Sequence, residues 1–509
     1  MFHVRFSFKV IVLVATLFLF SYLLMSSSTI PHTPLGEEVI KFWCSTRGNY
    51  ALATCEEMLS SPSGIYHQVL SLGLFLLVVG LTVTSMKLRY SAAFLSIALL
   101  VFAGVIPPQE LISGVEWRLI LFLIGSMTFA YILRKLRVFE YIALKILSLS
   151  EGSPQLLVLY LSLFAWFLAL TVDEVTSIVY VIMLVLDIRK ITKYDVRPLI
   201  ILAVLATNTG SMALPVGNPI GIYVSYEAQL TVSEFLYRAL PLSFITLLVM
   251  TSASYIILRS YLSRLFLKLT KEDIEAIKTK SFADLTLQER RAIKFGIALL
   301  IGFLTAIALN SPLSELISLV SVSYVDPHSL LSFTPYVFIL LSLTQIRAEE
   351  LEVFITRGVE WPSILFFIAL FMLGHSLLWS GAAPKIAYLS LSTVASNSGI
   401  NYSLLYIIFL SLAATLSSVL DNLSVIVAMT PIAKIVSSLS NSKSIFWVLL
   451  YGGTLGGNYT PIGSTANIVA LGMCERAKIS LGWSYWLRIA LLTTTLQIII
   501  ASLWSYLLL

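Results

Sequence analysis

Two long apolar stretches of this chain have a polar centre with an acid in it: Asp173-Glu174 within residues 155–188 and Asp421-Asn422 within residues 403–438. An uncompensated charge there costs several kcal/mol, so each carboxylate must be protonated, bind a cation or cap a helix. Capping is a full alternative, because each acid falls where a hairpin tip starts its second arm and can accept from free N–H groups. The ion reading, which capping does not preclude, is a proton- or sodium-responsive carboxylate at each tip. Asp421 has the sharper claim, since Asn422 beside it can share the coordination of Na⁺. Glu174 reads as facing the cytoplasmic entrance.

Beyond each pair comes an interruption rich in Gly, Pro and Asn. The first holds Asn208, Gly210, Ser211, Pro215, Gly217, Asn218 and Pro219; the second holds Gly456, Gly457, Asn458, Thr460, Pro461, Gly463, Ser464 and Asn467. Pro215-Val216-Gly217 matches Pro461-Ile462-Gly463. Helix breakers at mid-membrane depth leave backbone groups unpaired, tolerable only against protein or a wet cavity. Such breaks at matching places in two halves point to a transporter's binding site, because half-helix ends turn partial charges toward the gap. The candidate binding residues are therefore Asp173, Asn208, Ser211, Gly217, Asn218, Asp421, Asn422, Gly457, Asn458, Thr460, Gly463, Ser464 and Asn467. The alternative is a pair of kinked helices whose Asn and Ser merely cap the broken ends.

Other groups are less telling. His375 can relay protons, but a neutral, hydrogen-bonded packing histidine is the commoner state. Glu116 and Glu360 stand beside Trp117 and Trp361, which suits the headgroup belt. No Lys or Arg falls at mid-membrane near the breaks, so an anion would rest on helix N-termini, amides and a bound cation. Three cysteines, five histidines and neither HExxH nor CxxC argue against a metal or thiol enzyme. No cofactor is called for beyond Na⁺ or H⁺ as coupling ion. Cys44 and Cys55 share one hydrophilic segment, as a disulfide or as two free thiols; Cys474 reads as apolar filler.

The elements that must position these residues are membrane helices. Of 509 residues, 58% are hydrophobic and 12% charged, roughly half the charge of a soluble domain, and mean hydropathy is +0.91. A soluble enzyme is excluded. About eleven apolar runs are long enough for a ~30 Å hydrocarbon layer. The excess of 33 Lys and Arg over 27 Asp and Glu reads as cytoplasmic loops, not as a nucleic-acid surface. Lys87, Arg89, Arg134, Lys135, Arg137, Arg189, Lys190, Lys193 and Arg197 share one side only if both acidic stretches are re-entrant hairpins. The first run, about Phe8 to Met25, is a signal peptide or a retained helix; without a clean A-x-A site, retention is preferred.

Gly114-Val115-Glu116-Trp117 recurs as Gly358-Val359-Glu360-Trp361, each time followed by an apolar run, an acidic pair and a break. Five crossings between the copies make the halves inverted. The fold expected is an all-α polytopic membrane protein of about eleven spans in two inverted repeats, each with a re-entrant hairpin and a broken helix. Residues 1–66 form a first helix and extracytoplasmic loop, 67–260 the first repeat, 261–294 a basic cytoplasmic linker and 295–509 the second repeat. The N-terminus lies inside and the C-terminus outside the cytoplasmic membrane.

The stretch Gly456 to Asn467 resembles the "GG-N-x-TPIG-S-x-A-N" motif of arsenite permeases and NhaD-type sodium–proton antiporters, and Asp421-Asn422 resembles the tip before it. The chain is thereby similar, over about residues 67–509, to the ion transporter superfamily, which also holds the P protein, citrate–metal carriers and divalent anion–sodium symporters. The resemblance implies two inverted repeats and, for many members, a homodimer with an elevator motion. Neither tip carries the Ser-Asn-Thr signature of the divalent anion branch.

The function expected is secondary transport of a small ion, an arsenite-like oxyanion or another anion, coupled to H⁺ or Na⁺ by alternating access. A Na⁺/H⁺ antiporter is nearly level with it; a channel and an intramembrane aspartyl protease built on Asp173 and Asp421 stand further back. No nucleotide-binding P-loop occurs, so any ATPase would be a separate subunit.

Overall fold

The computed structural model describes residues 8–48, 50–84, 88–149, 153–192, 195–266, 285–320, 324–347, 349–396 and 399–508. Arg5, Lys87, Lys193 and most of the basic linker lie outside them. Lipid offers backbone groups no partner, so the chain closes its hydrogen bonds in helices. Only Ala395–Ser396 and Gly399–Ile400 pair as strands among the described residues. There, seven helices are long and apolar enough to cross a membrane, and shorter apolar ones include Arg89–Phe102, Tyr402–Ser417 and Ser444–Gly456. The 19 residues of Trp117–Lys135 reach about 28 Å at 1.5 Å per residue, one bilayer core. The chain is an all-α polytopic membrane protein.

The same succession of elements occurs twice. A helix after each Gly-Val-Glu-Trp (Trp117–Lys135, Trp361–Ser380) leads through a shorter helix (Val138–Leu149, Ala382–Val394) to a hairpin. The first hairpin is Pro154–Thr171 with Glu174–Thr192, the second Tyr402–Ser417 with Asn422–Ser440. A broken helix follows, Arg197–Ser211 with Pro219–Glu227 and then Ser444–Gly456 with Thr465–Arg476, before a closing helix (Leu240–Phe266, Trp483–Leu508). Packing repeats as well. The first arm of each hairpin lies along the first part of its own broken helix, and the second arm touches the second part of the other half's. The two halves are interleaved, so neither buries its polar break alone.

The hydrophilic segment before this core is folded. Pro34–Thr46, capped by Thr33, and Leu52–Ser60 are joined by a Cys44–Cys55 disulfide with Cα atoms 5.9 Å apart. Trp43 is fully buried and donates through Nε1 to Leu378 O at 2.6 Å. The first helix, Phe8–Ser27, packs on Pro62–Thr84, with Phe18 against Gly73. Lys385, itself buried, donates through Nζ to Met25 O at 2.8 Å. Cys474 is buried.

Candidate functional site

Each break is written by its own residues. Arg197–Ser211 stops, Pro215–Gly217 makes a single 3₁₀ turn, and Asn218 starts Pro219–Glu227 by accepting Gly221 N–H on Oδ1 at 2.6 Å. In the second half Ser464 starts Thr465–Arg476 by accepting Asn467 N–H at 3.3 Å. Gly217 and Gly463 are required by close approach. A Cβ on Gly217 would fall 2.4 Å from Ser211 O and 2.9 Å from Ala169 O; one on Gly463 would fall 2.5 Å from Gly457 O and 3.0 Å from Ser417 O. Ala169 and Ser417 end the first arms of the hairpins, so each tip meets the middle of its own broken helix.

The breaks also touch each other. Asn208 Nδ2 donates to Asn458 Oδ1 and to Asn467 Oδ1, both at 2.9 Å. Asn467 Nδ2 donates to Gly457 O and Thr460 O, both at 2.8 Å. Asn458 Nδ2 reaches Gln497 Oε1 at 3.2 Å, and Gln497 Nε2 reaches Thr209 Oγ1 at 2.7 Å. Asn208, Asn458 and Asn467 are wholly inaccessible. Counting from the matched prolines, Asn208 corresponds to Thr454 and Asn218 to Ser464. Asn218 Nδ2 donates to Thr454 Oγ1 at 3.4 Å, and Ser464 Oγ lies 3.1 Å from Asn208 Oδ1. One contact is thus made twice. Each interhelical bond in a membrane contributes only about 0.6 kcal/mol, whereas a buried partner left unpaired costs about 1–3 kcal/mol. The seam therefore matters chiefly through what happens when one member is lost.

The tips show capping directly. Asp173 Oδ1 accepts the N–H groups of Val175 (2.9 Å) and Thr176 (2.8 Å). Asp421 Oδ2 accepts Ser424 N–H at 3.2 Å, while its Oδ1 accepts Thr465 Oγ1–H at 3.4 Å. Both carboxylates are thus spent on their own helices and on Thr465 rather than on each other. Asn422 Oδ1 accepts from Ser417 Oγ, which also lies 2.6 Å from Gly453 O, and Asn422 Nδ2 is buried with no partner among the described atoms. Thr460 Oγ1 donates to Ser418 O, tying the second break to its tip.

Two expectations need correction. Glu174 does not face an open entrance: it is 6% exposed, and its Oε2 lies 3.5 Å from Ser211 Oγ at the first break. The Asp173-Glu174 and Asp421-Asn422 alignment had placed it opposite Asn422, and that was the signal for it. His375 is packed against Gly114, but its buried Nε2 has no partner among the described atoms. Lys434, well along the second arm of the second hairpin from its tip, pairs with Glu227 at the end of the first broken helix. Ser417, Thr454 and Gln497 were missed; Thr454 was legible as the counterpart of Asn208. Glu116 pairs with Arg118 at 2.8 Å and Glu360 is exposed, beside exposed Trp117 and Trp361. Among the described residues no three His, Cys, Asp or Glu form a metal group.

Hairpin tips set against two broken helices that share one seam define a multi-pass transporter fold. The sequence pattern of the citrate transporter family (CitMHS) matches residues 74–452, and the chain belongs to that family. An uncharacterised transporter of Mycobacterium tuberculosis is 26% identical over 401 residues, covering 78% of this chain and 87% of that protein. A 46 kDa membrane protein of Mycobacterium leprae is 25% identical over 455 residues, covering 86% and 98%. The human P protein is 22% identical over 441 residues, covering 72% of this chain and 50% of its own length. The solved YdaH transporter of Alcanivorax borkumensis shares the fold with a TM-score of 0.53 at 17% identity, covering 87% of this chain and 98% of its own. The family and these likenesses agree with the superfamily suggested by the Gly456–Asn467 motif. That motif itself lies beyond the family match.

Proposed function

We propose that the protein is a secondary active transporter that carries a small anion across the cytoplasmic membrane, coupled to H⁺ or Na⁺ by alternating access. The observation that carries this reading is the seam itself: two broken helices from different halves meet beside their breaks through Asn208, Asn458 and Asn467. The half-helices that start after Asn218 and Ser464 turn the positive ends of their dipoles toward the breaks, which suits an anion, and family membership supports the class. Citrate and arsenite-like oxyanions are the first substrates to test. In this reading the halves are inverted repeats, the N-terminus is inside and the C-terminus outside, and a homodimer supports an elevator motion.

A Na⁺/H⁺ antiporter is the second reading, favoured by the oxygens gathered at the second tip: Asn422 Oδ1, Ser417 Oγ and Gly453 O. Proteoliposomes with imposed pH and sodium gradients separate the two. Anion uptake that follows a gradient supports the first. Proton movement driven by sodium with no anion present supports the second. Flux with neither gradient coupled to it would overturn both.

A further inference from the structure

The N-terminal segment, which precedes the family match, builds a second polar site far in sequence from the breaks. Arg47 ends the helix Pro34–Thr46 and lies beside the disulfide-closed turn. Its guanidinium sits over two indole rings, 4.3 Å from the centroid of Trp379 and 5.3 Å from that of Trp43. It donates through Nη1 to Met58 Sδ at 3.2 Å, a weak acceptor, and its Nε is buried with no acceptor among the described atoms. No carboxylate lies within ion-pair distance of it among the described residues. Burial lowers its pKa from the ordinary value, and the fields of Tyr50 and Glu110 oppose that shift. An arginine so placed stays charged at any physiological pH.

The fork is not closed off. It borders a cavity of about 290 Å³ whose wall includes Ser61, Ser63 and His67 from the start of Pro62–Thr84, together with Met58 and Trp379. Ser61 and Ser63 hydroxyls lie 3.2 Å apart, and Gly64 N–H is held by Ser61 Oγ, which fixes this first helical turn. A half-buried guanidinium with unspent donors, two hydroxyls, an imidazole and the positive end of a 23-residue helix converge on one space. Planar forks of this kind bind carboxylate or phosphate with two parallel hydrogen bonds, and the helix end adds attraction of the same sign. We propose that this cavity is an anion site that takes a carboxylate or phosphate group on Arg47. The two stacked indoles hold the fork in place, so little side-chain freedom is lost on binding. The site does not rest on the transport reading and would stand if that reading failed.

The full chain, purified into phosphatidylcholine nanodiscs, tests it by tryptophan fluorescence, since the fork lies on two of the nine indoles. Inorganic phosphate or citrate should give a saturable change that chloride at equal ionic strength does not. Arg47→Gln should weaken it roughly tenfold or more, the loss expected for charge-assisted hydrogen bonds. Met58→Glu keeps Arg47 and its stacking but supplies an internal carboxylate, and should abolish the response even if Arg47→Gln fails to fold. A response only in discs containing phosphatidylglycerol, unmoved by soluble anions and lost in Met58→Glu, assigns the group to a lipid headgroup. A response unchanged in both variants, or none in any arm, overturns the site.

Discussion

At the first tip Glu174 stands where the second tip has Asn422, and at the first break Ser211 stands where the second has Gly457. Around these positions the backbone is built alike: a capping aspartate, a close-approach glycine and a capped half-helix in each. The side chains that remain under-bonded differ. One half presents a carboxyl with a single 3.5 Å contact, the other an amide with a free Nδ2 among the described atoms. A carboxyl can take up or release a proton within reach of the seam, while a neutral amide can only coordinate. The scaffold is thus doubled while the chemistry is divided, and we propose that the proton acts at the first tip and a sodium ion or the anion at the second.

The comparison breaks first at its shared part. Gly217→Leu and Gly463→Leu each drive a side chain into backbone carbonyls, and each should cost more than about 4 kcal/mol; loss of monodisperse protein in both halves is the expected outcome, and unimpaired folding of either breaks the equivalence. Glu174→Gln should abolish uptake driven by a pH gradient and leave folding intact, whereas Asn422→Ala should spare the pH response and remove any sodium response. Proteoliposome flux under each gradient reads both. Asn accepts at a cap as well as Asp does, so Asp173→Asn should retain most flux. Asp421→Asn should lose coupled flux, because Asp421 reaches Thr465 across the break while Asp173 bonds only to its own arm.

Stability sharpens the seam. Asn208→Ala strands the acceptor on Asn458, while Asn467 Oδ1 keeps Ser464 Oγ at 2.7 Å, and should lower stability by about 1–3 kcal/mol, whereas Thr454→Ala loses one long bond and should cost under about 1 kcal/mol; thermal unfolding in detergent gives the ratio. The smallest effect is at the entries to the broken helices. The first is held by a pair of Asp195 and Arg197 at 2.7 Å, the second by Lys443 donating to Gln229 O. Burial raises the Asp195 carboxyl pKa, but hydrogen bonds and charge from Arg197 outweigh it and leave the net value below the ordinary one. The stabilisation is therefore present above the usual aspartate pKa of about 4 and is lost as pH falls below it. Both partners are more than a third exposed, so Asp195→Asn should cost under about 1 kcal/mol at pH 7 and progressively less as pH falls through the lowered folded value. A cost independent of pH would remove the pair from the account.

Breakers at 210–219 and 456–465 and isolated acids at 173 and 421 made the hairpins and broken helices readable, because lipid forbids such residues without a structural reason. The corresponding order of the two halves shows which positions pair, and carried further it sets Glu174 opposite Asn422 and Thr454 opposite Asn208, although the sequence reading left both out of the site. What could not be read was the contact across the seam. Asn208 meets Asn458, whose own counterpart in the first half is Met212, so the repeat alone could not suggest the pair. Lys434 was hidden for another reason: its partner Glu227 sits in the other half, and a charge in an apolar run shows no sign of its compensation. The folded disulfide segment was equally silent, since its helices are fixed by Trp43 and Leu378, residues far apart in the chain.

Lys385 carries a positive charge into the protein interior and has Met25 O as its acceptor. A chain lacking the first helix would strand that ammonium, and one lacking the disulfide segment as well would open the slot Trp43 fills. Removing the first sixty residues to ease production would therefore injure the second half as well as the first, where Phe8–Ser27 packs on Pro62–Thr84.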